Sequence, residues 1–171
     1  MATYNDRMLA VRYVYVLALV IWLGGMVILG AVVAPTLFQV LQAGDPVTGR
    51  ELAGAAFGSA IARFHYVAYG AAALLLLTLA AMRILGPKPA AFAIRALIVL
   101  VMLGIALYSG FIVLGRIDEI QAAVGSLPSR LPAGDPRRVE FDSLHTLSTR
   151  LMGANIIGAL VLLYWEAKEH L

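Results

Sequence analysis

Four stretches of the chain are apolar for long enough to cross a bilayer as helices. They cover about residues 10–37, 65–84, 95–115 and 146–166, and few charges interrupt them. A membrane-spanning helix needs about 20 mostly apolar residues. The hydrophobic periodicity of these stretches is weak because both faces are apolar, as expected where the outer faces contact lipid. The pattern predicts an all-α four-transmembrane-helix bundle, in one integral membrane domain over residues 1–171.

The two longer connections carry their own helix signals. In residues 39–64, Thr48 and Glu51 have the spacing of a capping box, so a helix is expected to begin there. That helix could extend the second span, lie on the membrane surface or form half of a re-entrant hairpin. Residues 115–146 keep an apolar stripe before several prolines, which predicts a short amphipathic helix continuing the third span.

The remaining connection, residues 83–95, is short and contains a Gly-Pro turn. The second and third spans are therefore expected to be antiparallel neighbours. This connection carries basic residues and no acid, and cytoplasmic loops are enriched in Lys and Arg. Both termini lie on the same side as this connection in a four-span protein. We therefore expect both termini in the cytoplasm. Pro35, near the end of the first span, should loosen the last turn of that helix.

Composition supports a lipid bilayer as the main partner of this chain. Of its 171 residues, 61% are hydrophobic and 13% charged, whereas soluble domains have about 45–50% apolar and about 25% charged residues. The net charge of +3 gives no reason to expect nucleic-acid binding. The absence of cysteine excludes disulfides, iron–sulfur clusters and thiolate zinc sites.

Two histidines are the strongest candidates for chemistry, because His65 and His145 begin two different spans at the same side of the membrane. Neutral imidazole is a ligand for haem iron and for copper. The pair could be two axial haem ligands, or could bind copper with Met152 as a soft third ligand. The plainer alternative is that each histidine only bonds a nearby carbonyl or a lipid phosphate at the interface.

Other polar residues should extend a pocket around the two histidines. Tyr69 lies one turn from His65, and Ser148 and Asn155 share a helix face with His145. Arginines at the rim suit an anion such as a haem propionate, although lipid phosphates would serve them equally well. The predicted ligand-binding residues are His65, Tyr69, Tyr108, His145, Ser148 and Asn155, with Arg63 and Arg150 at the rim.

No catalytic motif is present, which favours a binding protein over an enzyme. The pocket could hold a metal ion, a haem or a small solute. Alternatively, glycine-rich helix faces could pack against a larger membrane complex or a second copy of the chain, making this a structural subunit. Met26, Met82 and Met102 are interpreted as packing residues, because no histidine lies beside them at helical spacing.

Several short motifs resemble those of a known group. They are Trp22–Met26, Ala34–Phe38, Arg63–Tyr66 and Leu147–Asn155. Together they resemble the bacterial four-helix family of unknown function related to transmembrane protein 205, over most of the chain. That resemblance implies four spans with few internal charges and no known activity, and it adds the expectation of a bacterial inner membrane. Trp22–Gly25 also resembles the first helix of copper-resistance membrane proteins and of a small membrane protoporphyrinogen-oxidase family. Those groups have histidines in their spans, whereas the first span here has none.

Overall fold

The computed structural model describes residues 4–86, 89–125 and 127–168, and within these ranges it contains helices and no strand. The first long helix is α-helical over Tyr4–Ile28 and Ala34–Gly44, with a π-helical segment, Leu29–Val33, between them. The second is Thr48–Leu85. The third comprises Phe92–Leu107, the π-helical segment Tyr108–Val113, and Leu114–Val124. A 3₁₀ turn, Pro128–Arg130, precedes the fourth helix, Pro136–Lys168. The all-α prediction is confirmed.

All four long helices are long and apolar enough to span a membrane, and each contains one of the predicted spans. The second long helix has 38 residues, which at 1.5 Å per residue is about 57 Å. The hydrocarbon core of a bilayer is about 30 Å thick. A helix of this length is longer than the hydrocarbon core is thick. Of the three alternatives for residues 39–64, a continuous extension of the second span is the one observed.

The four helices form a bundle in which the first and third each pack against the second and fourth. Buried apolar side chains from all four helices make one core, with Trp22, Leu75, Met102 and Leu162 among its fully buried members. The predicted antiparallel packing of the second and third helices is confirmed. Pro87 and Lys88, in the connection between them, lie outside the described residues.

The predicted capping box at the start of the second helix is wrong. The helix does begin at Thr48, but no side chain of the capping residue bonds its amides. Instead the Asp45 carboxylate accepts hydrogen bonds from the amides of Val47 and Thr48, at 2.8 and 3.2 Å. These bonds lower the pKa of Asp45. The side chain of Asp45, three residues before Thr48, therefore binds the first amides of the helix in place of the Thr48 hydroxyl. Glu51 has other partners, Arg130 and the amide of Leu127.

Pro35 changes the first helix one turn before its own position. Because Pro35 has no amide hydrogen to donate, the helix widens over Leu29–Val33, where the amide of Ala34 bonds the carbonyl of Leu29 five residues earlier. The helix then continues to Gly44 instead of ending. The sequence predicted loosening of the last turn of the helix, but the widened turn lies before Pro35 and is not the last one. The predicted amphipathic continuation of the third helix is observed, over Leu114–Val124.

Ion pairs hold together the end of the bundle that is away from the termini. Arg116 on the third helix donates to the Glu140 carboxylate on the fourth at 2.6 Å, and this contact lowers the pKa of Glu140. Glu51 pairs with Arg130 at 3.0 Å and accepts a hydrogen bond from the amide of Leu127 at 3.4 Å. The connection between the third and fourth helices is thereby fixed to the start of the second.

Candidate functional site

A cavity of about 50 Å³ lies between the four long helices. Pockets for drug-sized ligands have volumes of about 300–1,000 Å³, so this cavity has no room for a haem. It can hold a single ion or a few water molecules. All four helices contribute side chains that could contact such a ligand, namely Trp22, Met26, His65, Ser109, Ser148, Met152 and Asn155.

The imidazole of His65 is held by its own helix. Its Nδ1 lies 2.9 Å from the carbonyl oxygen of Ile61, one turn earlier. A carbonyl can only accept a hydrogen bond, so in the neutral ring Nδ1 carries the proton and Nε2 keeps its lone pair. The ring also lies against the third helix, because a Cβ added to Gly110 would come within 2.8 Å of its Cδ2. His65 therefore presents an acceptor nitrogen in a fixed ring orientation.

Asn155 supplies the most unusual group in the cavity wall. Asn155 is only 5% exposed, and its side-chain oxygen, Oδ1, has no hydrogen-bond partner among the described residues. A buried polar group without a partner costs about 1–3 kcal/mol. Ser109, also buried, lines the same cavity from the third helix. A ligand that offers a positive charge or a donated hydrogen bond would satisfy the Asn155 oxygen.

Both π-helical segments adjoin the cavity. Leu29 begins the first of them and Ser109 lies in the second, and both residues line the cavity.

Behind the wall, the Tyr69 hydroxyl donates to the carbonyl oxygen of Ala106 at 3.4 Å, and its ring stacks on Phe111 with centroids 5.9 Å apart. Tyr69 thus fastens the second helix to the third beside the wide turn. Such turns occur often at functional sites, because they change the direction in which side chains point.

The structure brings some of the predicted site residues together and leaves others apart. His65, Ser148 and Asn155 line the cavity, as does Met152. Tyr69 supports the wall from behind through Ala106.

The other predicted residues lie outside the cavity. Tyr108 is 47% exposed and is not part of the wall. His145 is exposed on the fourth helix, so it does not face the cavity together with His65. Arg63 and Arg150 are also exposed. A pair of axial haem ligands from His65 and His145 therefore has no place in this cavity.

Met26 and Trp22 are the residues that the sequence analysis missed. Met26 was taken for a packing residue because no histidine lies near it in the sequence, yet it lines the same cavity as His65. The two residues belong to different helices, so spacing along one helix could not relate them. Trp22 and Met26 are four residues apart and share a helix face. Because Trp22 was expected to face the bundle interior, this spacing could have indicated that Met26 faces it too.

A second buried polar cluster lies at the end of the bundle that carries the termini. Arg95, which is fully buried, donates to the Glu166 carboxylate at 2.6 Å. The guanidinium carbon of Arg95 also lies 5.3 Å from the ring centre of Tyr15, and Arg12 lies 3.8 Å from Glu166. The cluster joins the first, third and fourth helices. No spacing in the sequence relates these residues, because they belong to three different helices.

Comparison with known proteins identifies a family without an assigned activity. The family model described as Domain of unknown function (DUF4149) matches residues 17–125, which include Trp22, Met26, His65 and Ser109. This match does not connect the chain to transmembrane protein 205 or to copper-resistance proteins. No curated protein and no solved structure matches the chain. Since the matched segment is more than half of the chain, the protein belongs to the DUF4149 family of uncharacterised domains.

Proposed function

We propose that this protein binds a small cation in the cavity between its four membrane helices. The observation that carries the proposal is the buried Oδ1 of Asn155, which has no partner among the described residues and belongs to the cavity wall. The Nε2 lone pair of His65 and the hydroxyl oxygens of Ser109 and Ser148 add further acceptors in the same wall. A cation satisfies several acceptors at once.

The size and charge of the cavity favour a small cation over other ligands. About 50 Å³ admits an ion and excludes organic solutes of ordinary size. No arginine or lysine belongs to the described wall, so an anion would find no countercharge. The Asn155 side chain lies about 15 Å along its helix from His145, by the rise per residue. At that depth in a bilayer, the protein itself must supply the groups that replace the hydration of the ion.

Thermal unfolding of the purified protein in mild detergent tests this proposal. The probes are chloride or nitrate salts of sodium, potassium, ammonium, silver and zinc, and copper(I) in the absence of oxygen. A cation at 100 times its dissociation constant should stabilise the wild type by about 2.7 kcal/mol. Asn155→Leu removes the oxygen and fills the cavity, so this variant should be at least as stable without salt and should lose the stabilisation.

Thr78→Val is the matched control. Thr78 is a buried polar residue away from the cavity, and its hydroxyl is already satisfied by the carbonyl of Leu74 at 2.6 Å. This variant should keep the full response to the cation. If no salt in the series stabilises the wild type, the proposal is wrong, and a structural role within a larger membrane complex would explain the fold better.

The proposal also places the protein in a bacterial inner membrane with both termini in the cytoplasm. The connection 83–95, which lies on the same side as the termini, carries basic residues without an acid. Because the chain has no cysteine, single cysteines can report the topology. A membrane-impermeant maleimide should label Ala133→Cys in intact spheroplasts and should label Ala167→Cys only after lysis. The reverse pattern would overturn the orientation.

A further inference from the structure

We infer that the cation is a soft monovalent metal ion, copper(I), and that His65, Met26 and Met152 are its ligands. This inference rests on the proposed function, because it names the cation for the same cavity. It depends on a different set of atoms, however. The proposed function follows from an unsatisfied oxygen, whereas the identity of the metal follows from the sulfur and nitrogen donors.

Two thioethers belong to the cavity wall, on two helices that pack against each other. Met26 is buried on the first helix, and Met152 belongs to the fourth. A Cβ added to Gly30 would lie 3.2 Å from the terminal methyl of Met152, so this side chain reaches from the fourth helix to the first. Thioether sulfur is a soft donor that favours copper(I) over sodium, potassium, magnesium or calcium.

His65 has the arrangement expected of a metal-binding imidazole. Histidines that bind metals nearly always donate their other ring N–H to a carboxylate or a backbone carbonyl, which fixes the ring and raises its basicity. The Nδ1 of His65 makes this bond with the carbonyl of Ile61. Its Nε2 keeps a lone pair, and His65 belongs to the same cavity wall as the two thioethers. One imidazole and two thioethers give three neutral ligands.

The charge of the site decides between monovalent and divalent metals. Moving an ion into a medium of low dielectric constant costs free energy that rises with the square of its charge. No carboxylate belongs to the described wall, and Glu166 lies eleven residues, or about 16 Å, beyond Asn155 on the same helix. A divalent ion would therefore lack countercharge. Buried Trp22 also belongs to the wall, and an aromatic ring whose face meets a cation attracts it.

Competition with a colorimetric copper(I) chelator under anaerobic conditions measures the affinity. Met26→Leu and Met152→Leu should each weaken copper(I) binding at least tenfold, and the double variant should abolish it. Leucine conserves volume, so both variants should fold normally. Met82→Leu and Met102→Leu are matched controls, since these methionines are buried like Met26 and do not line the cavity. Both should bind like the wild type.

Silver(I) gives an independent signal that tests the position of the metal. In a Trp165→Phe background, Trp22 is the one remaining tryptophan, and silver(I) should change its fluorescence in a saturable way. The change should disappear in the Met26/Met152 double variant and persist in Met102→Leu.

The outcomes separate the inference from the proposed function. If the Met26/Met152 double variant binds copper(I) as tightly as the wild type, the ligand assignment is wrong. If copper(I) and silver(I) do not bind but sodium, potassium or ammonium stabilises the protein and Asn155→Leu abolishes that effect, the inference fails while the proposed function stands. If no cation stabilises the protein or changes Trp22 fluorescence, both fail, and the cavity holds water only.

Discussion

Replacing Gly110 by alanine should displace His65 and weaken the site without replacing any proposed ligand. A Cβ at Gly110 would lie 2.8 Å from Cδ2 and 3.1 Å from Cγ of the His65 ring, and it would also collide with the Tyr69 hydroxyl. Non-bonded carbons prefer separations of about 3.5–4.0 Å, so the ring must move by at least about 0.7 Å. Overpacking of this kind costs about 1–3 kcal/mol. Displacing the Tyr69 hydroxyl would also weaken its hydrogen bond to the carbonyl of Ala106.

Gly104→Ala is the control on the same helix. Nothing lies within 4 Å of a Cβ at that position, and replacing a glycine within a helix by alanine gains about 0.5–1 kcal/mol. Both variants share this gain, so their free energies of unfolding differ only by the overpacking at Gly110. Thermal unfolding in detergent should therefore find Gly104→Ala more stable than Gly110→Ala by about 1–3 kcal/mol. Copper(I) affinity, measured by chelator competition, should fall about tenfold or more in Gly110→Ala alone, as when groups that orient a metal ligand are removed. Equal stability and equal affinity in the two variants would refute this account of the cavity wall.

Two further predictions concern packing and charge away from the metal. Gly25→Ala should destabilise the protein by about 1–3 kcal/mol, because its Cβ would lie 2.7 Å from Cζ of the Phe64 ring. Gly24→Ala should instead gain about 0.5–1 kcal/mol, because nothing lies within 4 Å of a Cβ there; equal melting temperatures would contradict the packing. Glu166→Gln leaves the buried Arg95 without its carboxylate and should cost about 3–5 kcal/mol of stability, measured by thermal unfolding; a loss below about 1 kcal/mol would show that the pair contributes little.

The sequence predicted the fold well because the physical signal is strong. Four apolar stretches of about 20 residues have few alternatives to membrane helices, and the short connection 83–95 leaves little choice of packing for the second and third helices. The residue that caps the second helix could not be predicted in the same way. Thr48 and Asp45 both had suitable side chains near the helix start, and the competition between them depends on local backbone geometry that spacing alone does not determine.

The site was predicted only in part, because it forms between helices. Ser148, Met152 and Asn155 were found through their spacing on one helix. The rotation of each helix about its axis was not predictable, since lipid-facing and core-facing positions are both apolar. His145 was therefore grouped with His65, although its side chain is exposed, and Met26 was not. The sequence supplied the candidates, and the packing of the helices selected among them.

X-ray absorption at the copper edge tests the central claim most directly. The protein is purified in mild detergent, loaded with one equivalent of copper(I) without oxygen, and compared with the Met26/Met152 double leucine variant. The account predicts one nitrogen and two sulfur neighbours around the metal in the wild type, from His65, Met26 and Met152, and loss of both sulfurs in the variant. A wild-type spectrum with only nitrogen and oxygen neighbours, or no retained copper, would contradict it.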